Sequence, residues 1–297
     1  MATTRLEVLK TYKIYIGGQF PRTESGRYYV TTNKKQQALA NVCLSSRKDV
    51  RDAIVAARNA FGGWSGKAAF NRAQILYRIA EMLEGRRAQF VDELIKQDVS
   101  AKDAEQEINI SIDRLIYYAG WCDKYQQVFG SVNPVASSHF NFSVPEPTGV
   151  VTIVAPQNTS LLGLVSVIAP IIAGGNTCVV LASEDKPLCS VTFAEVINSS
   201  DVPGGVINIL TGKPSELVKY FAEHMDVNAV IYCENDAVTK KLIQEKASLN
   251  VKRVLFYDAI NWKNDAEAQS PYFIMEAQEI KTTWHPIETV GSAKAGY

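Results

Sequence analysis

A chain of 297 residues with 46% apolar and 21% charged residues can bury a large core, as a soluble globular protein of one large or two smaller domains does. Lys plus Arg and Asp plus Glu each number 31, so no bulk charge points to nucleic acid or a membrane surface. The five cysteines, Cys43, Cys122, Cys178, Cys189 and Cys233, are odd in number and scattered, without a C-x-x-C pair. That pattern fits free thiols in a reducing compartment and argues against a disulfide framework or a zinc site.

In chain order, segment 1–13 lacks the apolar core of about 7–15 residues that a secretory signal needs. Arg5, Lys10 and Lys13 are interrupted by Glu7, so a cytoplasmic protein is expected, with a mitochondrial presequence as the weaker alternative. Segment 12–31 reads as short strands around the turn Gly17-Gly18. Ser46-Arg47-Lys48-Asp49 is a loose capping box, and Val50, Ala53, Ile54, Ala57 and Phe61 then mark one face of a helix. A longer helical region is predicted over 70–96, with Ile75, Leu76, Ile79, Met82, Leu83, Phe90 and Leu94 facing inward, and another over 104–127. The stretch 130–144 breaks the helical rhythm, and His139-Phe140-Asn141-Phe142-Ser143-Val144 alternates as a hairpin does.

From Gly149 the pattern becomes strand, helix, strand. The run 150–155 is continuously apolar, as in a parallel strand buried on both faces. Strands are predicted over 177–181, 206–210, 229–232 and 253–257, with helices over 161–172, 187–198, 216–224 and 237–248. The most apolar stretch, 161–173, contains Gly163, Ser166 and Pro170 and is too short to span a bilayer. Repeated β-α units predict an α/β fold with an open, Rossmann-like parallel sheet and helices on both faces. Segment 273–284 reads as one isolated strand. His139, His224 and His285 have no ligand-spaced neighbours, so no metal site is expected.

These residues resemble the aldehyde dehydrogenase superfamily over nearly the whole chain, through ordered motifs. Gly17-Gly18, Tyr117-Tyr118-Ala119-Gly120-Trp121 with Asp123-Lys124, and Glu146-Pro147-Thr148-Gly149-Val150-Val151 each match a family motif. So do Pro156-Gln157-Asn158 (Pro-Trp-Asn in the family), Gly175-Asn176-Thr177, and Pro203-Gly204-Gly205-Val206-Ile207-Asn208 with Gly212. The family's reaction uses a cysteine thiolate, an oxyanion hole, a hydride acceptor, NAD(P), and a glutamate base.

Residue by residue, the resemblance implies that most of this chemistry is lost. Asn158 matches the oxyanion-hole asparagine, although an asparagine ending a buried strand also caps turns. Leu181 stands where a lysine holds the adenosine ribose, and Glu184 keeps an acidic position. Glu234 and Thr239 replace the two glycines of the pyrophosphate turn, and Glu234 and Asp236 repel phosphate while favouring the start of an empty helix. Tyr257 replaces the glutamate base; a phenol with a reference pKa of about 10 is a poor base at neutral pH. Asp258 is one residue late and should point to the opposite face. No cysteine follows Cys233, so the nucleophile has no counterpart; Cys178 and Cys189 read as core thiols, and Cys233 as the one to test for reactivity. NAD(P) binding is expected to be weak or absent.

The segment Ala277-Gln278-Glu279-Ile280-Lys281-Thr282-Thr283-Trp284 resembles the strand that closes family chains, which forms an oligomerisation arm with the hairpin matching 130–144. The expected organisation is a strand and helical part of the cofactor-like domain (1–129), an arm hairpin (130–146), a Rossmann-like unit (147–260), a connector (261–272) and an arm strand with tail (273–297). The catalytic domain is absent between connector and arm. This arrangement is similar to the non-catalytic C-terminal unit of family 16 aldehyde dehydrogenases, and beginning at Met1 it fits a separate subunit or an excised domain. The resemblance implies a pseudoenzyme that assembles with a full-length aldehyde dehydrogenase, or with itself, through 130–146 and 273–284. The alternatives are a contribution to an NAD(P)-dependent aldehyde oxidoreductase only within a larger complex, and a nucleotide-binding sensor.

Overall fold

A computed structural model describes residues 8–287; residues 1–7 of the leader reading over 1–13 and the tail 288–297 of the expected arm segment lie outside them. The N-terminal part forms a small sheet of order β1-β3-β2, from β1 (Thr11–Tyr12), β2 (Tyr28–Thr32) and β3 (Ala38–Cys43). Strand β3, with one side of Ala-Ala-Val spacing, went unrecognised in the sequence. Between β1 and β2, Tyr15 bridges antiparallel to Ile209, and the Asn208 side chain accepts from the Gly17 amide at 2.9 Å. The Gly17-Gly18 turn packs backbone to backbone on Gly204, where a Cβ would lie 2.6 Å from the Gly17 carbonyl oxygen, so only glycine fits.

Helix α1 (Arg47–Ser65) begins as expected: Asp49 accepts from the Ser46 amide at 2.7 Å, half of a capping box. The predicted single helix over 70–96 is two, α2 (Ala69–Gly85) and α3 (Arg87–Lys96), separated at Arg86. Arg86 leaves the helix at φ −109° and ψ 12°, and its guanidinium reaches Gln89 and Glu195. The apolar spacing does not register one residue that turns the chain. Likewise 104–127 is α4 (Ala101–Ala119), capped by Ser100 accepting from Asp103 N, then a turn and α5 (Tyr125–Phe129).

Next come β4 (Ser131–Asn133), β5 (His139–Pro147) and β6 (Val150–Val154), then α6 (Leu162–Ala173), β7 (Thr177–Leu181) and α7 (Leu188–Asn198). The alternation continues through β8 (Ile207–Leu210), α8 (Pro214–Glu223), β9 (Ala229–Tyr232), α9 (Ala237–Ser248) and β10 (Arg253–Phe256). Strands β6 to β10 form one parallel sheet of order β10-β9-β6-β7-β8. Both faces are covered, as the unbroken apolar strands require. Val151, Ile153, Cys178, Val180 and Ile231 pack toward α2, α3, α4, α6 and α7, whereas Val150, Val154, Val179, Leu181 and Val230 pack toward α1, α8 and α9. Successive residues alternate between these two cores, the period of a strand.

After β10 the chain runs through α10 (Asp265–Ala268) and α11 (Tyr272–Met275) into β11 (Gln278–Pro286). The strand predicted from 273 starts five residues later, because Pro271 opens a helical turn over the preceding residues. Nor is it isolated: β11 pairs antiparallel with β5 along its whole length, Gln278 opposite Pro147 and Pro286 opposite His139. With β4 on the far side of β5, this makes a three-stranded arm sheet.

Candidate functional site

In an open parallel sheet, ligands enter at the carboxyl ends of the strands, where the strand order reverses. Here that point lies between β6, whose successors run toward β8, and β9, whose successor is β10. The residues around it come from the loops after β6, β7, β9 and β10.

Gln157 laces these loops together. Its backbone amide donates to Glu234 Oε1 at 2.8 Å, directly across the β6–β9 crevice. Its side-chain Oε1 accepts from the Glu184 amide at 2.7 Å and its Nε2 donates to the Ala155 carbonyl at 2.9 Å, while Ser183 Oγ donates to the Gln157 carbonyl at 3.0 Å. Glu234 is therefore a strut between two strands. Partial burial raises the pKa of the Glu184 carboxyl. Leu181 is fully buried in the core toward α1 and α8 and offers no polar atom. Asn158 is exposed; its carbonyl accepts from Lys186 Nζ at 2.9 Å, and among the described residues its side-chain amide has no hydrogen-bond partner.

The two helix N-termini that border the crevice are both occupied by carboxylates of the chain itself. Asp236 caps α9, accepting from Val238 N at 3.2 Å and Thr239 N at 3.1 Å, and the Thr239 hydroxyl also donates to it. These bonds, the Thr239 hydroxyl foremost, hold the Asp236 carboxyl below the usual carboxylate range. At α6, buried Glu107 of α4 accepts from the amides of Ser160, Leu161 and Leu162 at 3.2, 2.8 and 3.1 Å. Sequence reasoning missed Glu107. Its signal was a carboxylate on the apolar stripe Ala104, Ile108, Ile112 and Leu115.

Tyr257 is buried, and its hydroxyl donates to Glu276 Oε2 at 2.5 Å while its ring meets Phe273 edge-on at 5.1 Å. Burial first, then the adjacent Glu276 carboxylate, pushes this phenol well above its ordinary value. Asp258 lies in the turn past β10, where it pairs with Lys240 of α9. Cys233 is buried on the same side as Tyr257, and burial with nearby Glu234 raises its thiol well above the usual range. It is the reverse of a reactive cysteine, since the thiolate is the nucleophile. All five cysteines are free and buried.

The segment after Tyr257 is fitted to this unit. Trp262, Ala268, Ile274 and Ala277 are buried in the core shared with α4 and α6. Arg114, with no exposed surface, donates to the carbonyls of Ala268 at 2.6 Å and Trp262 at 3.4 Å, to Gln269 at 3.1 Å and to Asp265 at 2.8 Å. Arg253 reaches the carbonyls of Glu276 and Gln278, and the Ala277 carbonyl accepts from Asn176 Nδ2 and Thr148 Oγ1, both at 2.9 Å. The path from β10 to β11 is short and internally satisfied, with no catalytic domain between them.

Among the described residues, no group of His, Cys, Asp and Glu is placed to hold a metal, and no helix is long and apolar enough to cross a membrane.

Comparison with known proteins gives one consistent picture. The sequence profile of the aldehyde dehydrogenase family matches residues 20–257. The cytosolic 10-formyltetrahydrofolate dehydrogenase of Mus musculus is 31% identical over 259 residues, 85% of this chain and 29% of that protein. The mitochondrial 10-formyltetrahydrofolate dehydrogenase of Homo sapiens is 31% identical over 252 residues, 82% of this chain and 27% of that protein. Among solved structures, the NAD+ complex of aldehyde dehydrogenase from Bacillus cereus superposes with a TM-score of 0.76 at 27% identity, covering 83% of this chain and 50% of that one. The chain thus spans under a third of these curated relatives and half of the solved enzyme.

Proposed function

Because the chain belongs to the aldehyde dehydrogenase family, we propose that it is a non-catalytic member whose role is structural or regulatory, in assembly with a full-length aldehyde dehydrogenase. The observation that carries this reading is the fitted connector. Tyr257, in the position of the family's base, is used to tie Glu276 down, and Arg114 is spent on the same segment. Both side chains are committed to closing the fold without a catalytic domain.

A dinucleotide does not fit the residues at the strand ends. The Glu234–Gln157 bridge crosses the crevice, Asp236 takes the amides at the start of α9, and Leu181 cannot donate to a ribose. A phosphate brought there would displace a carboxylate and meet a second one. Asn158 keeps a free amide but faces no thiolate. Five free, buried thiols suit a reducing compartment.

The arm is what remains available. All of β11 after Gln278 is exposed, and its outer edge is unpaired among the described residues, with Ile280 and Trp284 at 49% and 57% exposure. An exposed edge of eight residues, 279–286, is a template for another chain's strand. Co-expression with a full-length aldehyde dehydrogenase, followed by size-exclusion chromatography at micromolar concentration, tests the reading. Joint elution that is lost on deleting 278–286 is expected; separate elution of the two chains overturns it.

A further inference from the structure

At the opposite end of the sheet, below the amino ends of β6, β9 and β10, Thr148, Met225, Val227, Asn228, Asn250, Lys252 and Glu279 line a cleft of about 330 Å³. Lys252 is only 9% exposed, an unusual place for a lysine. Its position is forced: its amide closes the end of α9 on the Ala247 carbonyl at 3.1 Å, and Val251 before it adopts a positive φ of 56°, strained for a β-branched residue.

No carboxylate neutralises it among the described residues. The two acids flanking the cleft are engaged by arginines, Glu279 by Arg253 at 3.1 Å and Asp226 by Arg58 at 3.9 Å. The other titratable neighbour, His224, is held below its usual value by burial, with Lys252 and Arg58 contributing. Among the described residues, Lys252 Nζ bonds only the Asn250 side-chain oxygen. Asn228, which also lines the cleft, uses its Oδ1 on Arg58 and the Val150 amide, at 2.9 and 3.0 Å.

We propose that Lys252 is a nucleophilic amine that captures small aldehydes in this cleft as an imine. The neutral Nζ attacks the carbonyl carbon, the C–N bond forms, and the C=O π pair moves to oxygen, which takes a proton from nitrogen. Loss of water from the carbinolamine leaves the imine, and hydrolysis returns the aldehyde. Burial lowers the Lys252 pKa to about 8, so neutral amine is present near neutral pH, where ordinary lysines have almost none.

The test uses the whole chain, propanal and sodium cyanoborohydride at pH 7, with peptide mapping by mass spectrometry. Hydride from the reductant fixes the imine as a secondary amine. Lys252 is expected to be alkylated about tenfold faster than exposed lysines such as Lys34, Lys35 and Lys241. Lys252→Arg removes this fast phase with the melting temperature little changed. Labelling of Lys252 no faster than the exposed lysines, or a fast phase that survives Lys252→Arg, overturns the proposal. Because the measurement needs no partner, failure here leaves the assembly reading intact.

Discussion

Tyr257 is tied into the fold by the side chain of Glu276. Directly after β10, Tyr257 packs into the core with α4 and α6, and its hydroxyl donates to Glu276. Tyr257→Phe deletes one hydrogen bond to a charged acceptor and is expected to cost about 1–2 kcal/mol in urea denaturation at pH 7. The folded pKa is raised, so above the unfolded value of about 10 the native state binds more protons than the unfolded chain. Its contribution is therefore complete below pH about 10 and is lost as pH rises through the folded value. Urea midpoints between neutral and strongly alkaline pH should fall more steeply for the native protein than for Tyr257→Phe; parallel curves would contradict the assignment. The identity of Tyr257 was legible in the sequence. Its partner was not, because Glu276 lies nineteen residues on and meets it only through the turn at Pro271.

Helices α6 and α9 make the same point for elements. Each presents the free amides and positive dipole end that would hold an anion, and each is filled from within the chain. The cap of α9 could be read from Asp236 and Thr239, because capping is local. The cap of α6 comes from Glu107, more than fifty residues earlier, and no local pattern pairs them. Glu107→Ala leaves three buried amides without their acceptor and is expected to cost about 2–3 kcal/mol in chemical denaturation. Arg114→Met should act on the connector: it frees two buried carbonyls and Asp265, and limited proteolysis should cut within 258–277 faster than in the native chain. Unchanged cleavage would mean that the connector is held by its apolar residues alone. The helix boundaries at Arg86 and Ala119 escaped the sequence reading for a related reason: the apolar rhythm continues across the turns and only the backbone departs from it.

For the whole molecule, the family scaffold is kept, and the chain's own side chains bond to one another across the crevice at the strand ends. Isothermal calorimetry with NAD and with NADP at millimolar concentration should give no binding heat; a saturable signal would show that the Glu234–Gln157 bridge yields to a phosphate. The sequence alone determined the parallel α/β sheet, because unbroken apolar strands between amphipathic helices must be covered on both faces. It also carried the identities at the motif positions, Leu181, Glu234, Thr239 and Tyr257. Only the tertiary structure decided what those residues touch. The strut from Glu234, the cap from Glu107, the dock of Arg114 and the seam of β11 on β5 each join residues distant in sequence. Such pairs are set by where the elements pack, and a one-dimensional pattern carries the residues but not their meeting.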